Sequence, residues 1–402
     1  MMPSLRLFTL ILMAFTSLVA SATKKCIKVP VPQNVPELMR TFSGEPVTSA
    51  TEWERVRAPE LYECFQNEVY GRRPPVANER SRISFKVYDE RTVMDGKAVR
   101  KLVRAEFEGP IGKFSFPITV YIPKSDRPVP AFMTVCLKAR SKVEADNAIT
   151  SVCWPVEQII SRGYATAGFL TEDITTEANT GFSHGIFKCV ESEEARAEES
   201  WGAISAWAWA ASRVLDWIET EPAIDAKHVA IVGHSRGGKT ALWTGVTDKR
   251  FALVCSNNSG AHGAKLNHIR LPKSENIASI PKFFPNWYCG NYPKKYAGRE
   301  MSMNFDQHEL LALIAPRLLC VGSASEDHWA GQRGEWWSAF LASPAWELYG
   351  KKGLAANSFP APGEKQQEGC VSYHLRPGKH FLAPYDWDRY MDFADMHGWK
   401  RH

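Results

Sequence analysis

The segment Gly233-His-Ser-Arg-Gly237 constrains this chain more than any other feature of its sequence. It lies between an apolar run, residues 229–233, and a stretch with helical spacing of apolar residues, 239–246. G-x-S-x-G between a strand and a helix is typical of a nucleophile elbow, a turn so tight that glycines must flank the serine. The segment therefore predicts that Ser235 is exposed at a helix N-terminus, where backbone N–H groups and the helix dipole favour an oxyanion.

The same segment fits a second motif, G-x-x-x-x-G-K-[ST], which is the phosphate loop of nucleotide-hydrolysing proteins. Its fixed positions are Gly233, Gly238, Lys239 and Thr240. That chemistry also needs an acidic magnesium ligand at the end of a neighbouring strand, whereas the apolar run 318–322 is followed by Ser-Ala-Ser. A chance glycine-rich turn is the third interpretation. We favour the nucleophile elbow because its sequence context is complete.

A serine nucleophile needs a base and an acid, which follow it in the chain order Ser, Asp/Glu, His in α/β-hydrolases. Glu326 and Asp327 lie in a predicted loop after the strand-like run 318–322. His380 lies in a glycine-containing loop after the last predicted strand, 371–375. We predict His380 as the base, and either Asp327 or Glu326 as the acid.

Strand and helix patterns alternate along the chain, which predicts an α/β-hydrolase fold. This fold is a three-layer sandwich with a mostly parallel central sheet. Strand-type runs are predicted over 83–122, notably at 102–107 and 114–122. The other predicted strands are 129–137, 164–170, 229–233, 253–256, 318–322 and 371–375, and the predicted helices are 58–70, 201–220, 239–246, 335–348 and 387–396. No repeat or linker divides the sequence, so residues 23–402 are predicted to form one catalytic domain with an N-terminal arm at about 23–80.

The first 22 residues have the pattern of a signal peptide. Arg6 precedes an apolar run, residues 7–19, that closes on Ala20-Ser-Ala22. The run is shorter than the roughly 20 residues that a membrane span needs. We therefore predict cleavage after residue 22 and a secreted or periplasmic protein without a membrane anchor.

Charge and cysteine content exclude several classes of partner. The chain has 49 Lys+Arg and 44 Asp+Glu, a formal charge of +5 without a basic block, so nucleic acid is not indicated as a partner. Its nine cysteines include no C-x-x-C pair, which leaves zinc-ribbon and thioredoxin interpretations without support. Cys136, Cys255 and Cys320 lie in apolar runs and are expected to be buried thiols. The odd count leaves at least one thiol free, and the pairing of the others stays open.

Longer motifs around the serine and downstream of it are more specific. Gly233-His-Ser-Arg-Gly-Gly-Lys-Thr-Ala241 has an arginine directly after the serine and a lysine four positions on. Ser259-Gly-Ala-His-Gly-Ala264, Phe284-Pro-Asn-Trp-Tyr-Cys289 and Glu326-Asp-His-Trp-Ala330 follow it. With these motifs the chain resembles the glucuronoyl esterases, carbohydrate esterase family fifteen, and their bacterial branch in particular.

The resemblance implies a serine esterase that hydrolyses the ester between (4-O-methyl-)glucuronic acid of glucuronoxylan and lignin alcohols, without a metal or cofactor. It implies that Ser235 is the nucleophile and His380 the general base. Arg236 would stabilise the oxyanion through its backbone N–H and its guanidinium. The protein would act on this substrate as a monomer.

The resemblance also implies a set of sugar contacts. Lys239 would hydrogen-bond sugar hydroxyls from the first turn of its helix, and Trp329 would line the sugar pocket with an aromatic face. Glu275 resembles a sugar-contacting glutamate of the family, although Ser274 stands where the family has glycine.

The chain departs from the family pattern at two places. Many members carry a glutamate as the acid 23 positions after the nucleophile, and this chain has Asn258 there. An amide does not stabilise an imidazolium as a carboxylate does, so the resemblance implies that the acid comes from the later loop, as in some bacterial members. Asp327 is the predicted acid because it keeps a spacing of two residues to Trp329, with Glu326 as the alternative. His234 replaces the cysteine that precedes the nucleophile in fungal members, and Phe381 follows the histidine, so no disulfide links these two loops.

Two other functions remain open at this point. One is a different carbohydrate esterase, such as an acetyl xylan esterase. The other is a catalytically weakened sugar-binding relative, in which Asn258 is a sign of decay.

Overall fold

The computed structural model describes residues 32, 34–176, 182–356 and 358–400. The predicted signal peptide, residues 1–22, lies outside the described residues. Within the described ranges, every helix is too short or too polar to cross a membrane.

A ten-stranded mixed sheet forms the centre of the protein. The strands are, in chain order, β1 (Ile83–Val93), β2 (Ala98–Glu108), β3 (Lys113–Pro123), β4 (Val129–Cys136), β5 (Ser141–Val143), β6 (Ile149–Ser151), β7 (Ala165–Leu170), β8 (Ile224–His234), β9 (Leu253–Asn257), β10 (Leu318–Ala324), β11 (Lys365–Gln366) and β12 (Val371–Arg376). Their order across the sheet is β1-β2-β3-β7-β4-β8-β9-β10-β12-β11, and β5 pairs separately with β6. All neighbours from β7 to β12 in this order are parallel, whereas β1, β2, β3 and β11 join antiparallel at the edges.

Thirteen α-helices are described alongside the sheet. They are α1 (Ala50–Glu52), α2 (Ala58–Phe65), α3 (Val156–Ser161), α4 (Thr171–Ile174), α5 (Phe187–Val190), α6 (Ala203–Ile218), α7 (Arg236–Thr247), α8 (Ile280–Phe283), α9 (Asn291–Tyr296), α10 (Gln307–Ala312), α11 (Gln332–Leu341), α12 (Pro344–Glu347) and α13 (Pro384–Met396). The prediction of one helix over 335–348 is wrong, because α11 ends at Leu341 and Pro344 starts a new helix. A proline ring cannot continue the hydrogen bonding of a preceding helix.

Side chains of the parallel strands alternate between two apolar clusters, one on each face of the sheet. In β4, Met133 belongs to the cluster that contains α6 and α7, and Phe132 belongs to the one that contains α3 and α13. Ile231 and Val232 divide in the same way along β8. Helices therefore cover both faces, and the predicted three-layer α/β sandwich is confirmed.

The N-terminal arm packs against the helices of the catalytic body. Tyr70 stacks on Trp243 of α7 with ring centroids 4.4 Å apart, and Tyr62 stacks on the same indole at 5.8 Å. Arg57 forms a buried ion pair with Glu309 of α10. The arm is thus continuous with the main apolar core.

Cys136, Cys255 and Cys320 are buried, as the sequence predicts. All eight described cysteines carry free thiols, and the ninth, Cys26, lies outside the described residues.

Candidate active site

Ser235 lies in the sharp turn between β8 and α7 that the sequence predicts. Its backbone has φ 57° and ψ −126°, a conformation that side chains rarely adopt. A Cβ at Gly233 would lie 1.8 Å from the carbonyl oxygen of Gly237, so the turn closes only with glycine there. The turn is too tight for the wide loop that cradles a phosphate, because Gly233 still pairs within the sheet and α7 starts at Arg236. The geometry is that of a nucleophile elbow.

His380 and Asp327 meet at the same edge of the sheet. His380 follows β12 and Asp327 follows β10, and both strands run parallel to β8. His380 Nδ1 lies 2.5 Å from Asp327 Oδ2, and the Asp327 side chain is buried. Glu326 is exposed, and its backbone N–H donates to the Gly378 carbonyl. Of the two predicted acids, the structure places Asp327 on the histidine.

A buried arginine holds the loop that carries His380. Arg376 donates from its terminal nitrogens to the carbonyl oxygens of Pro377, Lys379 and Phe381, each at 2.8–2.9 Å. Its Nε lies 3.0 Å from a carboxylate oxygen of the fully buried Asp386. Three carbonyls of one short loop are therefore fixed by a single guanidinium.

Asn258, at the position where the resembled family often has its acid, makes three hydrogen bonds through its side-chain amide. Its Oδ1 accepts from the Ala324 N–H at 2.7 Å, at the end of β10. Its Nδ2 donates to Asn257 Oδ1 at 2.8 Å and to the Phe381 carbonyl at 3.4 Å. The amide thus ties β10 and the histidine loop to the end of β9.

Arg140 connects the serine loop to the histidine loop. Its Nη1 donates to His234 Nε2 at 2.8 Å, and its Nη2 donates to the His380 carbonyl at 3.3 Å. The guanidinium also lies 5.5 Å from the centroid of the Phe381 ring. His234 precedes the serine, and its ring centroid is 4.4 Å from that of His380. Arg140 thereby provides a polar link at the place where the sequence excludes a disulfide.

The same contacts fix the tautomer of His234. A guanidinium only donates, so Nε2 of His234 accepts, and Nδ1–H donates to Asn257 Oδ1 at 2.7 Å. Burial, with a contribution from the neighbouring charge of His380, holds the pKa of His234 well below its usual value. His234 is therefore neutral, and it does not oppose a positive charge on the His380 ring.

Replacement of Arg140 by alanine is expected to lower kcat by roughly tenfold and to change KM little, because the histidine loop loses its link to the serine loop, and a small misplacement of a catalytic group is costly. Steady-state kinetics on an ester substrate, with thermal unfolding measured in parallel, checks this. Lys142→Ala is the matched control, since Lys142 lies two residues away, is exposed and pairs with Glu144 on the surface. A kcat for Arg140→Ala equal to that of the control would contradict the expected role.

Lys239, Glu275 and Trp329 are linked to one another by hydrogen bonds. Lys239 Nζ donates to the Ser259 carbonyl, to the Ala261 carbonyl at 2.6 Å and to Glu275 Oε1 at 2.9 Å. The Glu275 N–H donates to the Trp329 carbonyl at 2.9 Å, and the Trp329 side chain is 48% exposed. Lys239 and Glu275 are both buried, so all three N–H groups of the lysine are used inside the protein. Their sugar-binding roles stay predictions.

Arg236, the first residue of α7, is partly buried beside the elbow. Its guanidinium lies 5.9 Å from the centroid of the Trp287 ring. Its position directly after Ser235 is the one from which a backbone N–H can face an oxyanion.

Glu335, on α11, is hydrogen-bonded to two segments of the chain that carry site residues. It is not among the residues predicted from the sequence. Its carboxylate accepts from the Gly260 N–H at 2.9 Å and from the hydroxyls of Ser323 and Ser259 at 2.6 and 3.3 Å. Burial raises the pKa of Glu335 to about 7. The carboxylate joins the loop after β9, which receives Lys239, to the strand that leads to Asp327. Its helical position carries no sequence signal beyond a glutamate among apolar neighbours.

The part of the chain that the structure describes contains no group of three or more histidine, cysteine, aspartate or glutamate side chains that could hold a metal ion.

The fold defines the general class of protein. A serine elbow follows a central parallel strand, and a paired aspartate and histidine follow later parallel strands in the order Ser, Asp, His. This arrangement is that of an α/β-hydrolase.

Comparisons with known proteins identify the family within the α/β-hydrolases. A family model described as glucuronyl esterase of fungi matches residues 110–350. The carbohydrate esterase MZ0003, from an unknown prokaryotic organism, is 33% identical over 393 residues, covering 90% of this chain and 89% of that protein. The 4-O-methyl-glucuronoyl methylesterase of Hypocrea jecorina (strain QM6a) is 32% identical over 195 residues, covering 47% of this chain and 41% of that one. The structure of the glucuronoyl esterase from Solibacter usitatus superposes with a TM-score of 0.81 at 33% identity, covering 92% of this chain and 99% of that one.

The chain therefore belongs to the glucuronoyl esterases, carbohydrate esterase family 15, and it is a carboxylic ester hydrolase. The resemblance that the motifs indicate is confirmed.

Proposed function

We propose that this chain is a serine esterase that hydrolyses the ester between (4-O-methyl-)glucuronic acid of glucuronoxylan and lignin alcohols. The observation that carries the proposal is the short contact between His380 and the buried Asp327, next to the elbow of Ser235. The family supports the substrate class, since relatives in it are named 4-O-methyl-glucuronoyl methylesterases.

In the first half of the reaction, His380 takes the proton from the Ser235 hydroxyl as the oxygen bonds to the uronoyl carbonyl carbon. Asp327 holds the proton on Nδ1, which leaves Nε2 free to accept, and it stabilises the imidazolium that forms. The N–H and guanidinium of Arg236 stabilise the oxyanion. The tetrahedral intermediate then breaks its bond to the alcohol oxygen, and the alcohol leaves with the proton from His380.

In the second half, water repeats the sequence on the glucuronoyl-serine. His380 takes a proton from the water as its oxygen bonds to the carbonyl carbon. The bond to the Ser235 oxygen then breaks, and the serine regains its proton. The uronic acid leaves, and the free enzyme is restored.

Lys239, Glu275 and Trp329 form the sugar-binding side of the site in this proposal. The half-exposed indole of Trp329 offers an apolar face and an N–H, which suit an amphipathic sugar ring. Glu275 accepts hydrogen bonds from sugar hydroxyls in this proposal, and Lys239 is its ion-pair partner on this side of the site.

Residues 23–402 act as one catalytic domain in this proposal, because ten strands between Ile83 and Arg376 belong to one sheet and the arm shares its core. The protein works as a monomer, without a cofactor, after removal of the signal peptide, and it is secreted or periplasmic. Its partner is the polysaccharide ester and not nucleic acid.

The test is a comparison of substrates. The enzyme is expected to hydrolyse a benzyl glucuronate ester with a kcat/KM about 10²-fold above that for acetate release from acetylated xylan, because only the uronate places a carbonyl at Ser235 while the sugar is bound. A fluorophosphonate probe should label Ser235 stoichiometrically, as measured by mass spectrometry.

The two other functions predict different results. Faster release of acetate than of benzyl alcohol would identify an acetyl xylan esterase. Failure of both hydrolysis and labelling would identify a sugar-binding relative without an activated serine. The position of Asp327 argues against decay, because the histidine retains a buried carboxylate although residue 258 is asparagine.

A further inference from the structure

A polar cavity of about 220 Å³ lies between the N-terminal arm and the helices α6 and α7. Its lining includes two arginines, three hydroxyl side chains and one carboxylate: Arg73, Arg213, Ser205, Ser212, Thr247 and Asp248. We call it the arginine cavity. It is at the C-terminal end of α7, and Ser235 is at the opposite end of that twelve-residue helix, about 18 Å away at 1.5 Å per residue. The arginine cavity is therefore separate from the candidate active site.

Most charges around the arginine cavity compensate one another. Arg213 Nε lies 2.6 Å from Asp216 Oδ2, and Arg250 lies 2.7 Å from the other oxygen of that carboxylate. Both oxygens of Asp248 are held by Arg250, at 2.6 and 2.9 Å. The remaining carboxylate, Glu219, pairs with Arg250 and with the more exposed Arg80. The carboxylate that faces the cavity is thus already neutralised.

The charge of Arg73, in contrast, is not compensated by a carboxylate among the described residues. Its two terminal nitrogens donate to uncharged oxygens, Asn78 Oδ1 at 3.1 Å and the Ser205 carbonyl at 3.2 Å. Among the described residues its Nε has no hydrogen-bond partner and its guanidinium has no carboxylate within salt-bridge distance. Burial, and then the charge of Arg213, lower the pKa of Arg73 to about 10, so it is still a cation at neutral pH.

A partly buried cation beside a second cation is unfavourable unless an anion accompanies it. Guanidinium groups bind oxyanions with two parallel N–H···O contacts, and neighbouring hydroxyls can supply further donors. The cavity has room for a tetrahedral oxyanion and several waters, since each water takes about 30 Å³ of liquid volume. Asn78 is exposed at its edge, so an ion in solution can reach it.

We propose that the arginine cavity binds a small tetrahedral oxyanion, phosphate or sulfate, between Arg73 and Arg213. The anion connects Arg73 of the arm to Arg213 of α6 and to the hydroxyls of α6 and α7 that line the cavity. The bound anion therefore stabilises the packing of the arm on the catalytic body. It affects the stability of the fold and not the chemistry at Ser235.

Thermal unfolding of the full chain tests this. Phosphate and sulfate are titrated separately at constant ionic strength, with sodium chloride as the balancing salt. We expect a saturable rise in Tm of about 1–4 °C in the wild type. Arg73→Gln should abolish the saturable part and leave only the linear effect that excluded salts have on any protein. Saturation by both anions defines an oxyanion site, and saturation by one of them identifies its preferred occupant.

Arg72→Gln is the matched control, because Arg72 is the preceding residue, is exposed and pairs with Glu63 on the surface. It should keep the saturable rise. The same saturable rise in Arg73→Gln, or saturation by chloride alone, would overturn the proposal. If Arg73→Gln does not fold, isothermal calorimetry of the wild type with phosphate decides, since an absence of binding heat at millimolar anion excludes the site.

Hydrolysis of the glucuronate ester should be unchanged in Arg73→Gln. The ester assay and the unfolding titration are independent, so the anion site can fail while the esterase proposal holds, and the reverse.

Discussion

Ser235→Ala is expected to lower kcat on a benzyl glucuronate ester by about 10⁴–10⁶-fold, because the variant has no oxygen to form the acyl-enzyme. The oxyanion donor at Arg236 and the sugar contacts would remain, so KM should change by less than about tenfold. Progress curves at high enzyme concentration measure the residual rate, and liquid chromatography of the released benzyl alcohol identifies the product.

Two further measurements accompany this variant. Its near-UV circular dichroism and Tm should match those of the wild type, which shows that the loss is chemical. The fluorophosphonate probe that labels the wild type should leave Ser235→Ala unlabelled. Retention of more than about one per cent of wild-type kcat would show that the nucleophile is a residue other than Ser235.

Asp327→Asn is expected to have the second largest effect, a loss of roughly 10³–10⁴-fold in kcat. Asp327 Oδ2 accepts the Nδ1–H of His380, and an amide nitrogen at that position would favour the tautomer with its proton on Nε2. Such a histidine cannot take the serine proton, and the imidazolium also loses its counter-charge. Steady-state kinetics over pH 5–9 measures the effect.

Glu326→Gln and Asn258→Ala are the controls for the acid. Glu326 is the adjacent carboxylate and is exposed, so its change should cost less than about twofold. Asn258→Ala removes a bond to Phe381 and a bond from Ala324, and we expect about a tenfold loss through a looser histidine loop. A larger loss at Asn258 or Glu326 than at Asp327 would show that the acid has been assigned to the wrong residue.

The nucleophile elbow and the loops with Asp327 and His380 can be predicted from the sequence because each is defined by a short, continuous segment of the chain. A strand, a G-x-S-x-G turn and a helix define the elbow without reference to the rest of the chain, and the loops with Asp327 and His380 each follow an apolar strand. The loop sequence alone does not separate Asp327 from Glu326, since adjacent residues in a loop point in different directions. In the folded chain, the Glu326 N–H donates to the Gly378 carbonyl and its side chain is exposed, whereas the Asp327 side chain is buried against His380.

The supporting residues could not be predicted in the same way. Arg140 is 94 residues from His234 and 240 from His380 in the sequence, and it meets both through the loop after β4. Nothing in its local sequence separates it from a surface arginine. The same holds for Arg73, whose lack of a carboxylate partner depends on how three other arginines share the neighbouring acids.

The antiparallel edge of the sheet lies in the region 83–122, where the sequence predicts strand-type runs. The runs 102–107 and 114–122 lie inside β2 and β3, and β1, β2 and β3 are each eleven residues long. Exposed strand residues such as Lys86 and Arg91 carry no alternating apolar pattern. Their strand conformation comes from pairing with β2 and not from burial.

The left-handed backbone of Ser235 has an evolutionary consequence. Holding a side chain at φ 57° costs on the order of 1–3 kcal/mol, and glycine would adopt the same turn without that cost. A glycine at position 235 is therefore expected to stabilise this turn while removing the hydroxyl. A change of Ser235 to glycine would give a more stable but inactive protein. Selection for activity therefore opposes selection for stability at this residue. In a lineage that no longer needs the esterase activity, we expect glycine to replace serine at this position.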